Sequence, residues 1–123
     1  MVPFLREHSK TNIEMNFISC LDFDYASTDY DMVLYSPPYY NIERYTGQSS
    51  KSRTEWNQFY KILCDLSWRH LQRGGWYCVN VSNEIYDIYK ASLGRCADIV
   101  IPMPNHRRSV YNLYSESVFC WNK

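Results

Sequence analysis

The chain has 123 residues, 46% hydrophobic and 17% aromatic, with 13 basic side chains balanced by 13 acidic ones. That length buries one core and not two, and that apolar content excludes a disordered segment. Zero net charge excludes the strongly basic surface of a general nucleic-acid binder, so any contact with phosphates must be local.

Residues 1–14 are polar and mixed and read as a lead-in segment before one domain over 15–123. Residues 15–20 alternate in part and predict a short strand, which ends at Leu21-Asp22-Phe23. Residues 30–35 follow Asp29 and predict a second strand, short and apolar enough to be central in a sheet. It stops at Ser36-Pro37-Pro38-Tyr39, because neither proline offers an N–H to a ladder and each fixes its own φ. The residue before each proline is also pushed to extended geometry. A long polar loop over 39–53 comes next, carrying Tyr40, Arg44, Tyr45, Lys51 and Arg53. Ser52-Arg53-Thr54-Glu55 fits a capping box for the helix that follows. Trp56, Phe59, Tyr60, Leu63, Leu66 and Leu71 give that helix one apolar stripe, read as core, and Gly74-Gly75 is expected to end it.

Residues 76–82 predict the next strand, so the helix and its flanking strands form a βαβ unit with parallel pairing. Ser82 or Asn83 caps a shorter helix that runs to about Leu93 and closes at Gly94. Residues 97–103 predict a strand, Asn105-His106-Arg107-Arg108 begins a polar loop, and residues 117–121 predict the last strand. The fold class expected is α/β: a partial Rossmann-like sheet, mostly parallel, with an antiparallel C-terminal hairpin.

The diproline corner carries the chemistry. It lies at the carboxyl end of a strand, where open α/β sheets place their ligands. It presents the Ser36 hydroxyl, prolyl carbonyls that no neighbouring strand need claim, and the ring of Tyr39. The exocyclic amine of cytosine or adenine is a poor nucleophile, since its lone pair is delocalised into the ring. Two acceptors on its two hydrogens, the Ser36 hydroxyl oxygen and the Pro37 carbonyl, would favour a pyramidal nitrogen ready for a methyl sulfonium. Tyr39 would stack on a base taken out of the duplex. No strong general base is required, because alkylation makes the amine proton acidic.

Ser36-Pro37-Pro38-Tyr39 resembles the catalytic tetrapeptide (Asp, Asn or Ser, then Pro-Pro-Tyr) of S-adenosylmethionine-dependent DNA amino-methyltransferases. The strand before it, the polar loop and helix after it, and the apolar strand beyond Gly74-Gly75 stand in that family's order. The resemblance covers roughly residues 15–123. It implies a catalytic role for Ser36, Pro37, Pro38 and Tyr39, and S-adenosylmethionine as cofactor. It places Asp22 near the cofactor's adenine, although a solvated turn is the alternative for that residue. It also implies DNA as partner; the polar loops then offer Tyr40 or Tyr45 to support a flipped base and Arg44, Lys51, Arg53, Arg107 and Arg108 to meet phosphates, with solvated surface loops as the alternative. His106 has no evident partner and is given no role.

The glycine-rich turn that such enzymes place after their first strand is missing, since the four glycines form no GxG between a strand and a helix. The expectation is therefore the carboxyl-side part of an enzyme, weak in cofactor binding by itself, whose cofactor-binding half lies on a separate polypeptide or was lost to a chain boundary. An unpaired edge at the strand over 30–35 would also permit self-association. The alternatives are an inactive remnant that serves as a binding module, and an RNA amine methyltransferase. Five widely spaced cysteines without CxxC read as reduced core thiols of a cytoplasmic protein, with no metal site. No stretch approaches a membrane span, and the amino terminus has no signal-peptide character.

Overall fold

The computed structural model describes residues 13–38, 52–103 and 116–123. A single 3-10 turn at Tyr25–Ser27 precedes strand β1 (Tyr30–Tyr35), helix α1 (Arg53–Arg69), strand β2 (Leu71–Ser82), helix α2 (Asn83–Leu93), strand β3 (Ile99–Pro102) and strand β4 (Glu116–Asn122). Both helices begin on the capping serines. The Ser52 hydroxyl accepts the Glu55 N–H at 3.2 Å, and the Ser82 hydroxyl accepts that of Ile85 at 3.5 Å. Helix α2 closes at Gly94, whose φ of 76° is the left-handed conformation that costs glycine nothing.

Helix α1 ends five residues before the expected Gly74. The Lys123 ammonium explains the stop: it donates to the carbonyls of Trp68 at 2.8 Å, Arg69 at 3.1 Å and Leu71 at 2.8 Å. A cation there satisfies acceptors that the last helical turn leaves open and complements the helix dipole. Leu71 is drawn into the core at 3% exposure and starts β2 opposite Tyr30. The two glycines lie inside the strand instead. Pairing jumps from Tyr30–Leu71 to Met32–Trp76, so β2 carries extra residues there as a bulge. Gly74 takes a φ of 86°, and a Cβ on Gly75 would stand 2.5 Å from the Asp31 carbonyl oxygen.

The strands lie in the order β1-β2-β4-β3. Strand β1 runs parallel to β2, while β4 is antiparallel to both β2 and β3. The βαβ unit and the antiparallel pair at the C-terminus are present, but the expectation of a mostly parallel sheet is corrected. Strand β4 inserts between β2 and β3, so two of the three pairings are antiparallel. The strand expected over 15–20 does not form. Phe17 and Ile18 are exposed there, and the segment joins no strand among the described residues, so its short alternation has no ladder to complete. For the same reason β1 is an edge and not a central strand within the described sheet.

The core lies on one side of the sheet. Tyr77, Val79, Val81, Phe119 and Trp121 meet Trp56, Phe59, Tyr60 and Leu63 of α1 and Ile85 and Tyr89 of α2. Burying each large apolar side chain there contributes roughly 1.5–3 kcal/mol. The intervening residues point to the opposite side, where Met32, Leu34, Ile99 and Ile101 are exposed.

Candidate active site at the diproline corner

Strand β1 delivers Ser36, Pro37 and Pro38 to the carboxyl end of the sheet. Ser36 is exposed, Pro37 is buried and Pro38 is half-buried. The corner is anchored from below by Tyr35, whose hydroxyl donates to that of Tyr89 at 2.8 Å and shares a hydrogen bond with that of Tyr77 at 2.5 Å. The Tyr77 hydroxyl in turn meets the Ser67 hydroxyl at 2.6 Å, and Ser67 donates to the Leu63 carbonyl at 2.6 Å. This buried chain of hydroxyls ties β1, β2, α1 and α2 together with polar atoms that find partners inside the core. Burial holds the Tyr35, Tyr77 and Tyr89 phenols well above their ordinary value, so they stay neutral and act as struts, not as bases.

Tyr60 fixes the corner from the side. Its ring is 1% exposed within the stripe of α1, and its hydroxyl donates to the Pro38 carbonyl at 2.7 Å. The sequence left both prolyl carbonyls open. The structure commits that of Pro38 to Tyr60, while among the described residues the Ser36 hydroxyl and the Pro37 carbonyl take no hydrogen bond. Ser36 is exposed at the sheet tip, whereas Pro37 beside it is buried. Sequence reasoning placed Tyr60 in the core and missed this second task. The available signal was a tyrosine in a buried stripe, whose O–H must find an acceptor.

The other candidates separate. Arg53 sits in the first turn of α1, where its guanidinium pairs with Glu84 in the first turn of α2 and also donates to the Asn57 side chain at 3.3 Å. Asp22 lies in an exposed turn closed by its N–H donating to the Ser19 carbonyl at 2.9 Å. With no strand over 15–20, it is not a strand-end carboxylate, and no described contact joins it to the corner. Tyr39, Tyr40, Arg44, Tyr45, Lys51, Arg107 and Arg108 lie outside the described residues.

Among the described residues no glycine turn joins a strand to a helix. Gly74 and Gly75 serve the bulge and Gly94 the end of α2. The junction from β2 into α2 passes through Ser82 and Asn83 with no glycine. Among the described residues no group of three or more His, Cys, Asp or Glu side chains is placed to hold a metal ion, and no helix is long and apolar enough to cross a membrane. Cys64, Cys78 and Cys120 are buried free thiols, whereas Cys20 and Cys96 are free and exposed, outside the core role expected of them.

No family model matches the chain, and no curated protein matches its sequence. Among solved structures it is similar to a possible methylase from Clostridium difficile 630, with a TM-score of 0.55 and 19% identity. The match covers 89% of this chain and 24% of that one, so the chain spans about a quarter of the larger protein's length. At that identity the likeness shows the fold alone, an α/β arrangement shared with part of the possible methylase.

Proposed function

We propose that this chain is the catalytic part of a DNA amino-methyltransferase, transferring a methyl group from S-adenosylmethionine to the exocyclic amine of cytosine (N4) or adenine (N6). The observation that carries the proposal is the exposed Ser36 at the carboxyl end of β1, on a diproline corner that Tyr60 holds through the Pro38 carbonyl; Ser36 Oγ and the Pro37 carbonyl are the proposed acceptors. Two acceptors at a fixed spacing grip both amine hydrogens, disfavour conjugation with the ring and orient the nitrogen lone pair outward. Proline geometry supplies that spacing without a side-chain entropy cost. A base reaches the corner only when taken out of its stack, with the Tyr39 ring as its platform and Tyr40 and Tyr45 as further support.

Lys51, Arg44, Arg107 and Arg108 are proposed phosphate contacts. Arg53 would join them only by exchanging its partner Glu84. The described residues carry no glycine turn between a strand and a helix, and the donor is assigned to a complementing half outside the 123 residues. The open edge of β1, with Met32 and Leu34 exposed beside it, is where such a half, or a second copy of this chain, would pair. The missing glycine turn also favours a second reading, an inactive methyltransferase-like fold retained as a binding module.

The test is co-expression of this chain with a neighbouring frame that encodes a strand, a glycine turn and a helix, followed by mass spectrometry of DNA and RNA nucleosides. N4-methylcytosine or N6-methyladenine in DNA is expected, and it should disappear with Ser36→Ala. Equal methylation by that variant removes Ser36 from the mechanism, and methylation confined to RNA moves the substrate class. Calorimetry on the chain alone should show no micromolar binding of S-adenosylmethionine; such binding would refute the assignment of the donor to another half.

A further inference from the structure

Cys78 on β2 and Cys120 on β4 face each other directly in the antiparallel register. The hydrogen bonds define the kind of pair. The Lys123 N–H donates to the Gly75 carbonyl at 2.8 Å, which makes Gly75–Lys123 a hydrogen-bonded pair. Pairs alternate along an antiparallel ladder, so Trp76–Asn122 is non-bonded, Tyr77–Trp121 bonded and Cys78–Cys120 non-bonded. An independent contact agrees: the Asp98 N–H donates to the Cys120 carbonyl at 2.8 Å, so that carbonyl points toward β3 and away from β2. Non-bonded pairs bring Cα atoms to about 4.5 Å and their side chains closest together. A disulfide needs Cα atoms roughly 4.4–6.8 Å apart.

Both thiols are 6% exposed and lie on the side of the sheet away from the helices. The row across that side reads Leu34, Cys78, Cys120, Ile99, with Leu34 at 65% and Ile99 at 46% exposure. The thiols themselves are covered, so a reagent reaches them when β1 or β3, the outer strands of the described sheet, opens locally. Burial, and then the neighbouring Cys120, push the Cys78 thiol up to about 12, which keeps the pair protonated and slow to react at neutral pH.

We propose that Cys78 and Cys120 are a redox modification site, a dithiol that closes to a cross-strand disulfide by exchange with a small-molecule disulfide. One thiolate attacks the reagent, forming a mixed disulfide and releasing one reagent thiolate. The second thiolate displaces the other. The protein is oxidised by two electrons, the reagent is reduced to two thiols, and the two protein protons end on those thiols. The bond ties together strands 42 positions apart in sequence, on the side of the sheet away from the helices. It is independent of methyl transfer and stands whether or not the proposed function does.

The experiment uses the folded 123-residue chain with Cys20→Ser and Cys96→Ser, which removes the exposed competitors. It is incubated with oxidised glutathione at mildly alkaline pH. The expected product has lost two hydrogen masses, retains no glutathione, yields a peptide linking Cys78 to Cys120 on non-reducing digestion, melts several degrees higher and reverts with a reducing agent. Adding Cys120→Ser should leave at most a stable glutathione adduct on Cys78. An unchanged mass, persistent adducts on both cysteines, or a bridge through Cys64 would overturn the inference. So would a bridged product from the Cys120→Ser variant.

Discussion

Replacing Tyr60 with phenylalanine removes one oxygen atom and tests how the diproline corner is held. The ring itself stays, with its neighbours Trp56 at 5.9 Å, Phe59 at 5.6 Å and Tyr89 at 6.4 Å between centroids. What is lost is the donor to the Pro38 carbonyl at 2.7 Å. A neutral intramolecular hydrogen bond contributes about 0.5–1.5 kcal/mol net, and a buried acceptor left unpaired costs about 1–3 kcal/mol. Pro38 is half-buried, so water reaches its carbonyl in part and the expected loss is on the order of 1 kcal/mol. A larger truncation such as Tyr60→Ala would add a cavity cost of roughly 3–5 kcal/mol and hide the effect. The assay is urea unfolding followed by circular dichroism, where the midpoint should fall with the slope unchanged. Methyl transfer by the complemented protein should fall about fivefold, the rate equivalent of about 1 kcal/mol lost from the corner's geometry. An unchanged midpoint with unchanged activity would show that water serves Pro38 equally well and that Tyr60 does not lock the corner.

The adjacent glycines of the β2 bulge should respond differently. Gly75→Ala forces a Cβ to 2.5 Å from the Asp31 backbone oxygen and should cost about 1–3 kcal/mol or more. Gly74→Ala meets open space and bears only its φ of 86°, so about 1 kcal/mol is expected. Equal urea midpoints for the two variants would contradict the bulge as described. Alkaline pH should unfold the protein through its buried phenols. Tyr35, Tyr77 and Tyr89 are held well above the ordinary value of 10.0, and Tyr30 is raised to about 12, in each case chiefly by burial. The folded state keeps these protons more tightly than the unfolded chain. Their contribution is therefore complete below pH 10 and is lost as pH rises through 10 toward the folded values. Tyrosinate absorbance and circular dichroism should change together above pH 10; ionisation of all twelve tyrosines near pH 10 with the fold intact would refute it.

Local chemistry made several elements readable from the amino-acid order alone. A short apolar run stopped by two prolines gave β1 its end, serine caps set the starts of both helices, and a glycine able to adopt positive φ set the end of α2. The same order located the candidate corner, because two successive prolines stop a strand wherever it lies. Nothing local could end α1 at Arg69, since the ammonium responsible belongs to Lys123, 54 positions away. Nor could period or propensity place β4 between β2 and β3, which depends on which apolar faces bury most area against the two helices. The sequence supplied an open Ser36 and two prolyl carbonyls. Only the packed helix revealed that one carbonyl belongs to Tyr60, and that a phenol network beneath Tyr35 supports the tip. Short-range sterics act along the chain and are written in it, whereas partners for buried polar atoms are settled only when distant segments meet.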